Sequence, residues 1–187
     1  AGNMGKPQHL ETFLEAAALL QGTNRVHFVL MGNGSERERL VNLAAELQLR
    51  NVTFLAQQPY SSMPLAYASS DASYVPQAMG TSSDGVPSKV YRIMAAGCPV
   101  VACTDADSDL ADLISVAAAG VVVTTADPAD LAKVIREAFV NEDDWHCKGK
   151  NGRVHVLKYN DRRAVSAQYH DLLRTLLAPA KTVSLPR

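Results

Sequence analysis

The sequence predicts an α/β fold: a Rossmann-like, doubly wound parallel sheet flanked by helices. Three observations predict it. Short β-branched runs alternate with longer amphipathic runs from residue 26 to residue 140. The short runs are continuously apolar, which requires burial on both faces and hence a parallel sheet covered by helices on each side. Capping and stopping residues fall at the joints between the two kinds of run. A chain of 187 residues, 47% hydrophobic and 20% charged, can build one sizeable core without disulfides.

In order along the chain, PQHLETFLEAAALLQG at 7–22 reads as a helix entered from the loop Gly2-Asn3-Met4-Gly5-Lys6. A loop of this kind follows a strand, and almost nothing precedes it, so the expectation is a piece of a longer protein. VHFVLMG at 26–32 is a strand and RERLVNLAAELQL at 37–49 its helix, with Ser35 placed to cap it. VTFLA at 52–56 is a strand and SMPLAYASS at 62–70 a short helix. ASYVP at 72–76 is a strand, and SKVYRIMAAG at 88–97 a helix stopped at Gly97 before Cys98-Pro99. PVVAC at 99–103 is a strand and SDLADLISVAAA at 108–119 a helix. GVVVTT at 120–125 is a strand; DPADLAKVIREAFV at 127–140 is a helix with Asp127 as N-cap and Pro128 at its first position. Residues 143–174 read as helical, with an apolar stripe at Val165, Tyr169, Leu172, Leu173 and Leu176. The expected organisation is a domain over 1–140, a helical extension packed on it over 141–178, and a mobile tail over 179–187.

Several function classes are excluded. A formal net charge of -1 gives no electrostatic case for a nucleic acid or an anionic membrane. No run approaches the ~20 apolar residues that span a bilayer. The greasiest, Leu113 to Val123, carries Ser115 and Gly120, and the N-terminus has no apolar signal region. Cys98, Cys103 and Cys147 are too few for a disulfide framework and fit a reducing cytoplasm, with Cys98 and Cys103 as small core residues. The five histidines show no metal spacing. Asp105-Ala106-Asp107-Ser108-Asp109 alternates acids like a calcium loop. Leu110 and Val116 stand where the glycine and the closing glutamate are needed, so helix capping by Asp107 or Ser108 is the better reading. Neither a P-loop nor a GxSxG elbow is present.

Ligands of open parallel sheets bind at the carboxyl ends of strands, and three loops fall there. In Gly2-Asn3-Met4-Gly5-Lys6, two glycines allow close approach to the backbone, a helix starting near Pro7 offers free N–H groups, and Lys6 adds an ammonium. That combination suits a phosphate; the alternative is a plain strand–helix turn. Gly32-Asn33-Gly34-Ser35 is a tight turn, and Arg37 stands where a dinucleotide fingerprint needs its third glycine. Gly80 to Lys89 is the longest polar insertion between a strand and a helix, and its length favours a ligand role.

GNMGKPQHLETFLEAA, VLMGNGSERERL, NVTFLAQQPYSSMPLAYASSDASYVP and GVPSKVYRIMAAGCPVVA follow one another in this order. Together they resemble the C-terminal, donor-binding domain of family 4 glycosyltransferases of the GT-B fold, in particular bacterial transferases of surface-polysaccharide assembly, from Gly2 to about Phe139. The resemblance implies one half of a two-domain enzyme, the N-terminal acceptor-binding half being absent, so that the chain binds donor without turnover. It implies retaining transfer of a sugar from a nucleotide diphosphate, UDP by family habit, with no metal or other cofactor. It also implies a cytoplasmic protein, peripheral at the inner face of the membrane only through the absent half. Residue by residue, Gly2, Asn3, Gly5 and Lys6 match the loop that holds the donor pyrophosphate, and Gly32 and Gly34 the turn near the nucleotide. Gln58, Pro59 and Tyr60 fall in the nucleobase loop. Gly85, Val86, Pro87, Ser88 and Lys89 match the segment that meets sugar and diphosphate.

One departure stands out. Many members carry two glutamates eight residues apart, one near the donor sugar and one on the ribose; here these positions are Asp84 and Arg92. Arg92 has no acceptor for ribose hydroxyls but suits a phosphate, and Asp109, after a strand end, is the candidate substitute. Two other readings stay open: a nucleotide-sugar 2-epimerase-like enzyme, which needs grouped carboxylates and histidines that the sequence does not show, and a non-enzymatic α/β binding module without selectivity for nucleotide diphosphates.

Overall fold

The structure, a computed structural model, describes residues 1–23, 25–80 and 85–177. Its strands are β1 (Gly2–Asn3), β2 (Phe28–Asn33), β3 (Val52–Leu55), β4 (Ser73–Pro76), β5 (Val100–Cys103) and β6 (Gly120–Val123). Its helices are α1 (Leu10–Leu19), α2 (Arg37–Glu46), α3 (Met63–Ala68), α4 (Lys89–Ala95), α5 (Asp109–Val116), α6 (Pro128–Val140), α7 (Glu142–Tyr159) and α8 (Arg162–Leu177). From residue 26 to residue 140 every expected element is present, with its ends moved by up to three residues. Asp84 and the 179–187 tail lie outside the described residues.

All strand pairs are parallel, in the orders β1–β2–β3 and β4–β5–β6. The expected single sheet is thus two three-stranded halves, because β1 is two residues long and its ladder reaches only Gly2↔Gly32 and Asn3↔Asn33. Doubly wound packing is clearest at β5. Val100 and Ala102 join Val90, Ile93, Leu110 and Ile114 on one face. Val101 joins Ala16, Leu20, Leu131 and Trp145 on the other. Leu14, Leu30 and Leu40 close a third cluster between α1, β2 and α2. Cys98 and Cys103 are buried, as a core role requires, while Cys147 is exposed.

Capping shows where local chemistry fixed the joints. Asp127 Oδ1 accepts from Ala129 N–H at 2.8 Å, and Ser108 Oγ from Ala111 N–H at 3.1 Å. Gly97 ends α4 with φ 77°, a conformation glycine adopts without steric cost. Two expectations are corrected. Ser35 does not cap α2: the cap residue is Glu36, whose N–H is taken by the Met4 carbonyl at 2.9 Å. The helix expected over 7–22 is interrupted: a 3-10 turn at Lys6–Gln8 is followed by His9 at φ 40°, and α1 begins only at Leu10. Residues 143–174 likewise split into α7 and α8, where the Asp161 carboxylate accepts from Arg163 N–H at 2.8 Å. The α8 stripe is solvent-facing, with Tyr169, Leu172, Leu173 and Leu176 all exposed.

Helix α7 packs on α4 through small residues. A Cβ at Gly149 would lie 2.1 Å from the Gly97 carbonyl oxygen. Gly149→Ala therefore tests two opposed effects. Helix propensity favours alanine by about 1 kcal/mol. Forcing a methyl against a fixed carbonyl costs about 1–3 kcal/mol. The expected result is a lower urea midpoint, whereas Gly22→Ala, with nothing within 4 Å of its Cβ, is expected to stay close to the parent protein.

Candidate functional site

The carboxyl ends of β1, β2, β3, β4 and β5 carry the loops that hold the candidate residues. At β1, Met4 ties the glycine loop down: its N–H donates to the Asn33 carbonyl at 2.8 Å, and it is 2% exposed. Asn3 and Lys6 are exposed. Gly5 N–H donates to Gln8 Oε1 at 2.9 Å. The free N–H groups expected at a helix start near Pro7 are thereby corrected: one donor is already used, and α1 starts beyond the loop.

Gly32 and Gly34 have a structural reason for lacking a side chain. A Cβ at Gly32 would lie 1.9 Å from the Gly2 oxygen, and one at Gly34 would lie 2.4 Å from the Met4 oxygen. Both have positive φ, 142° and 156°. Gly34 N–H donates to the Asn33 side chain at 2.9 Å. Above Gly85, at φ 73°, a Cβ would instead meet open space. Val86 packs on the Tyr67–Ile93 core, Pro87 accepts from Val90 N–H at 3.0 Å, and Ser88 is exposed at the start of α4.

The two loops approach each other. Ala1, Gly2, Asn3, Pro76 and Lys89 border one cavity of about 540 Å³ between β2 and β4. Burial pushes the Lys89 ammonium down from its ordinary value.

The nucleobase-loop candidates divide. Tyr60 is 71% exposed, and the Arg92 guanidinium lies over its ring, 5.1 Å from the centroid. Gln58 turns back to donate to the Ala56 carbonyl at 3.1 Å. Asp109 is exposed in the first turn of α5, and among the described residues no hydrogen bond or ion pair joins it to the other candidates.

A polar network that sequence reasoning did not assign supports the segment after β4. Thr104 Oγ1, fully buried, donates to Gln77 Oε1 at 2.9 Å and lies 2.9 Å from Ser108 Oγ. Gln77 Nε2 donates to the Gly85 carbonyl at 3.2 Å. The Asp105 carboxylate accepts from Gly80 N–H, at 3.1 and 2.8 Å to its two oxygens. The signal available in the sequence was polar residues immediately after adjacent strands, where sites of parallel sheets form. Among the described residues, no group of three or more His, Cys, Asp or Glu could hold a metal ion, and no helix is long and apolar enough to cross a membrane.

Asp105→Ala removes a charged acceptor worth roughly 1–3 kcal/mol. The expected outcome is faster hydrogen exchange at the Gly80 amide. Unchanged exchange there would show that the loop is held by other means.

Residues 1–166 match the family model described as "Glycosyl transferases group 1". Over 113 residues the chain is 33% identical to WcaI of Escherichia coli strain K12, named as a colanic acid biosynthesis glycosyl transferase; the match covers 60% of this chain and 28% of that protein. Over 181 residues it is 28% identical to the glycosyltransferase WbjE of Pseudomonas aeruginosa, covering 96% of this chain and 44% of that protein. The chain thus spans less than half the length of either curated relative. Among solved structures, Anabaena HepE in complex with UDP superposes with a TM-score of 0.77 at 18% identity, over 93% of this chain and 48% of that one.

Proposed function

The chain belongs to the glycosyl transferases group 1 family, and we propose that it is the nucleotide-diphospho-sugar-binding part of a retaining glycosyltransferase that acts in surface-polysaccharide or glycolipid assembly. The observation that supports this reading is that Gly2, Asn3 and Met4 of the glycine loop and Lys89 of α4 border one cavity. The chemistry needs charge stabilised on the departing nucleoside diphosphate. Lys6 and the start of α4 supply it without a metal, and the Gly5 N–H joins them once it leaves Gln8. The open space over Gly85 leaves room for a donor sugar. The exposed Tyr60 ring, backed by Arg92, offers a face on which a base stacks.

UDP is the nucleotide favoured, in keeping with the UDP held by HepE on the same fold. Asp84 remains the candidate near the donor sugar, and Asp109 the candidate for the ribose. The acceptor-binding half is supplied by the remainder of a longer protein, which acts in the cytoplasm at the inner face of the membrane. WcaI, named for colanic acid biosynthesis, is consistent with a polysaccharide acceptor.

Calorimetric titration with UDP, GDP and ADP tests the reading. Selective binding of one nucleotide diphosphate is expected, with UDP tightest. Lys6→Ala is expected to weaken it about ten-fold or more, the worth of one charged hydrogen bond. Equal weak binding of all three, or an unchanged affinity in Lys6→Ala, would overturn the assignment. Sugar transfer by this chain alone would contradict the need for an acceptor half.

A further inference from the structure

The hydrogen bonds behind Gly85 run in one direction. Gln77 is anchored just past β4, where its N–H donates to the Cys103 carbonyl at 2.8 Å. The Gly85 carbonyl can only accept, so the Gln77 carboxamide must turn Nε2 toward it, at 3.2 Å. Oε1 then faces Thr104 Oγ1 at 2.9 Å, and the single hydroxyl proton of that fully buried residue is committed to it. Thr104 is itself fixed just past β5, with its N–H on the Val123 carbonyl at 3.1 Å. The carboxamide therefore has one orientation, set from the core outward.

That orientation decides what the next peptide presents. The Gly85–Val86 peptide is trans, so its C=O and N–H are antiparallel. With the Gly85 carbonyl drawn to Gln77, the Val86 N–H points the opposite way. Among the described residues no acceptor takes it. The side of Gly85 where a Cβ would stand is open, and Lys89, one turn further, borders the cavity shared with Asn3. Rotating the peptide plane, through ψ of Gly85 and φ of Val86, would exchange the two groups and turn a carbonyl oxygen outward. Gly85, at φ 73° and without a Cβ, sets no steric bar of its own to that rotation. The hydrogen bond from Gln77 is thus the polar contact that selects a peptide offering a donor to an anion over one offering an acceptor.

We propose that Gln77 is a positioning residue, itself held by Thr104, that keeps the Val86 N–H turned outward as a main-chain donor to the diphosphate of the bound nucleotide. Both side chains act through the peptide they orient. Their role rests on the nucleotide-binding reading given above, and it adds to that reading two residues outside the loops that match the family.

The test titrates UDP by calorimetry and uridine by NMR into the parent chain and into Gln77→Leu, Thr104→Val and Thr104→Ser. Gln77→Leu and Thr104→Val each delete one hydrogen bond at nearly constant volume. Both are expected to weaken UDP binding about ten-fold. Both are also expected, without nucleotide, to change the coupling between the amide and α protons of Val86, which reads the φ angle of that residue. Thr104→Ser keeps the hydroxyl and is expected to match the parent. Uridine, which has no diphosphate, is expected to bind all four proteins alike. Should Thr104→Val fail to fold, Gln77→Leu, at a half-buried position, carries the test. Equal UDP affinity in parent and variants would overturn the proposal and leave the proposed function standing. An equal loss of uridine binding would overturn it too, since the damage would then be general. A parent chain that binds no UDP would instead overturn the proposed function, and this role with it.

Discussion

Main chain resting directly on main chain, where residues 2–4 run alongside residues 32–34, is the contact on which the rest of the site depends. No side chain fits between the two segments: the Cβ positions of Gly32 and Gly34 fall within 1.9 and 2.4 Å of carbonyl oxygens across the contact. Two hydrogen bonds lock it, Met4 N–H to Asn33 and Glu36 N–H to Met4. The second ties the residue that precedes α2 to the loop, so one carbonyl links the loop to the start of a helix. These glycines match a binding motif, yet their first duty is steric.

The opposite wall is built differently. Where the β1–β2 side uses backbone contact, the β4–β5 side uses buried side chains: Thr104 and Ser108, both fully buried, orient Gln77, which in turn holds the Gly85 carbonyl. Fully paired buried polar groups of this kind fix a single geometry, because each would be costly to leave unpaired. A rigid β5 end thus sets the position of the segment leading into α4. Phe13, packed on Tyr74 and Phe28, is the mechanical link between the two walls.

The alternation of elements was legible because it rests on local, repeated signals: continuous apolar strands, an Asp127-Pro128 start, a Gly97 stop. Helix ends were less legible, since their caps came from distant residues; Met4 taking the place expected of Ser35 is a tertiary contact that no short window contains. The division into two half-sheets was not legible either, for it turns on how many residues of β1 find partners. Within the candidate site, loop positions were readable from strand ends. Hydrogen-bond partners were not: Gln8, Gln77 and Asp105 act across 3, 8 and 25 residues of sequence. Arg92, anticipated as a phosphate ligand, lies over Tyr60, because residues 60 and 92 meet only once α3 and α4 have packed.

Gln8 carries a consequence for energetics. Its carboxamide already occupies the Gly5 N–H. An anion that recruits this donor must evict an internal acceptor, so the encounter is a swap of one bond for another. Only the surplus of a charged over a neutral acceptor is left as net gain. The same swap gives the loop selectivity by charge: a neutral oxygen arriving there improves on nothing, whereas a phosphoryl oxygen does.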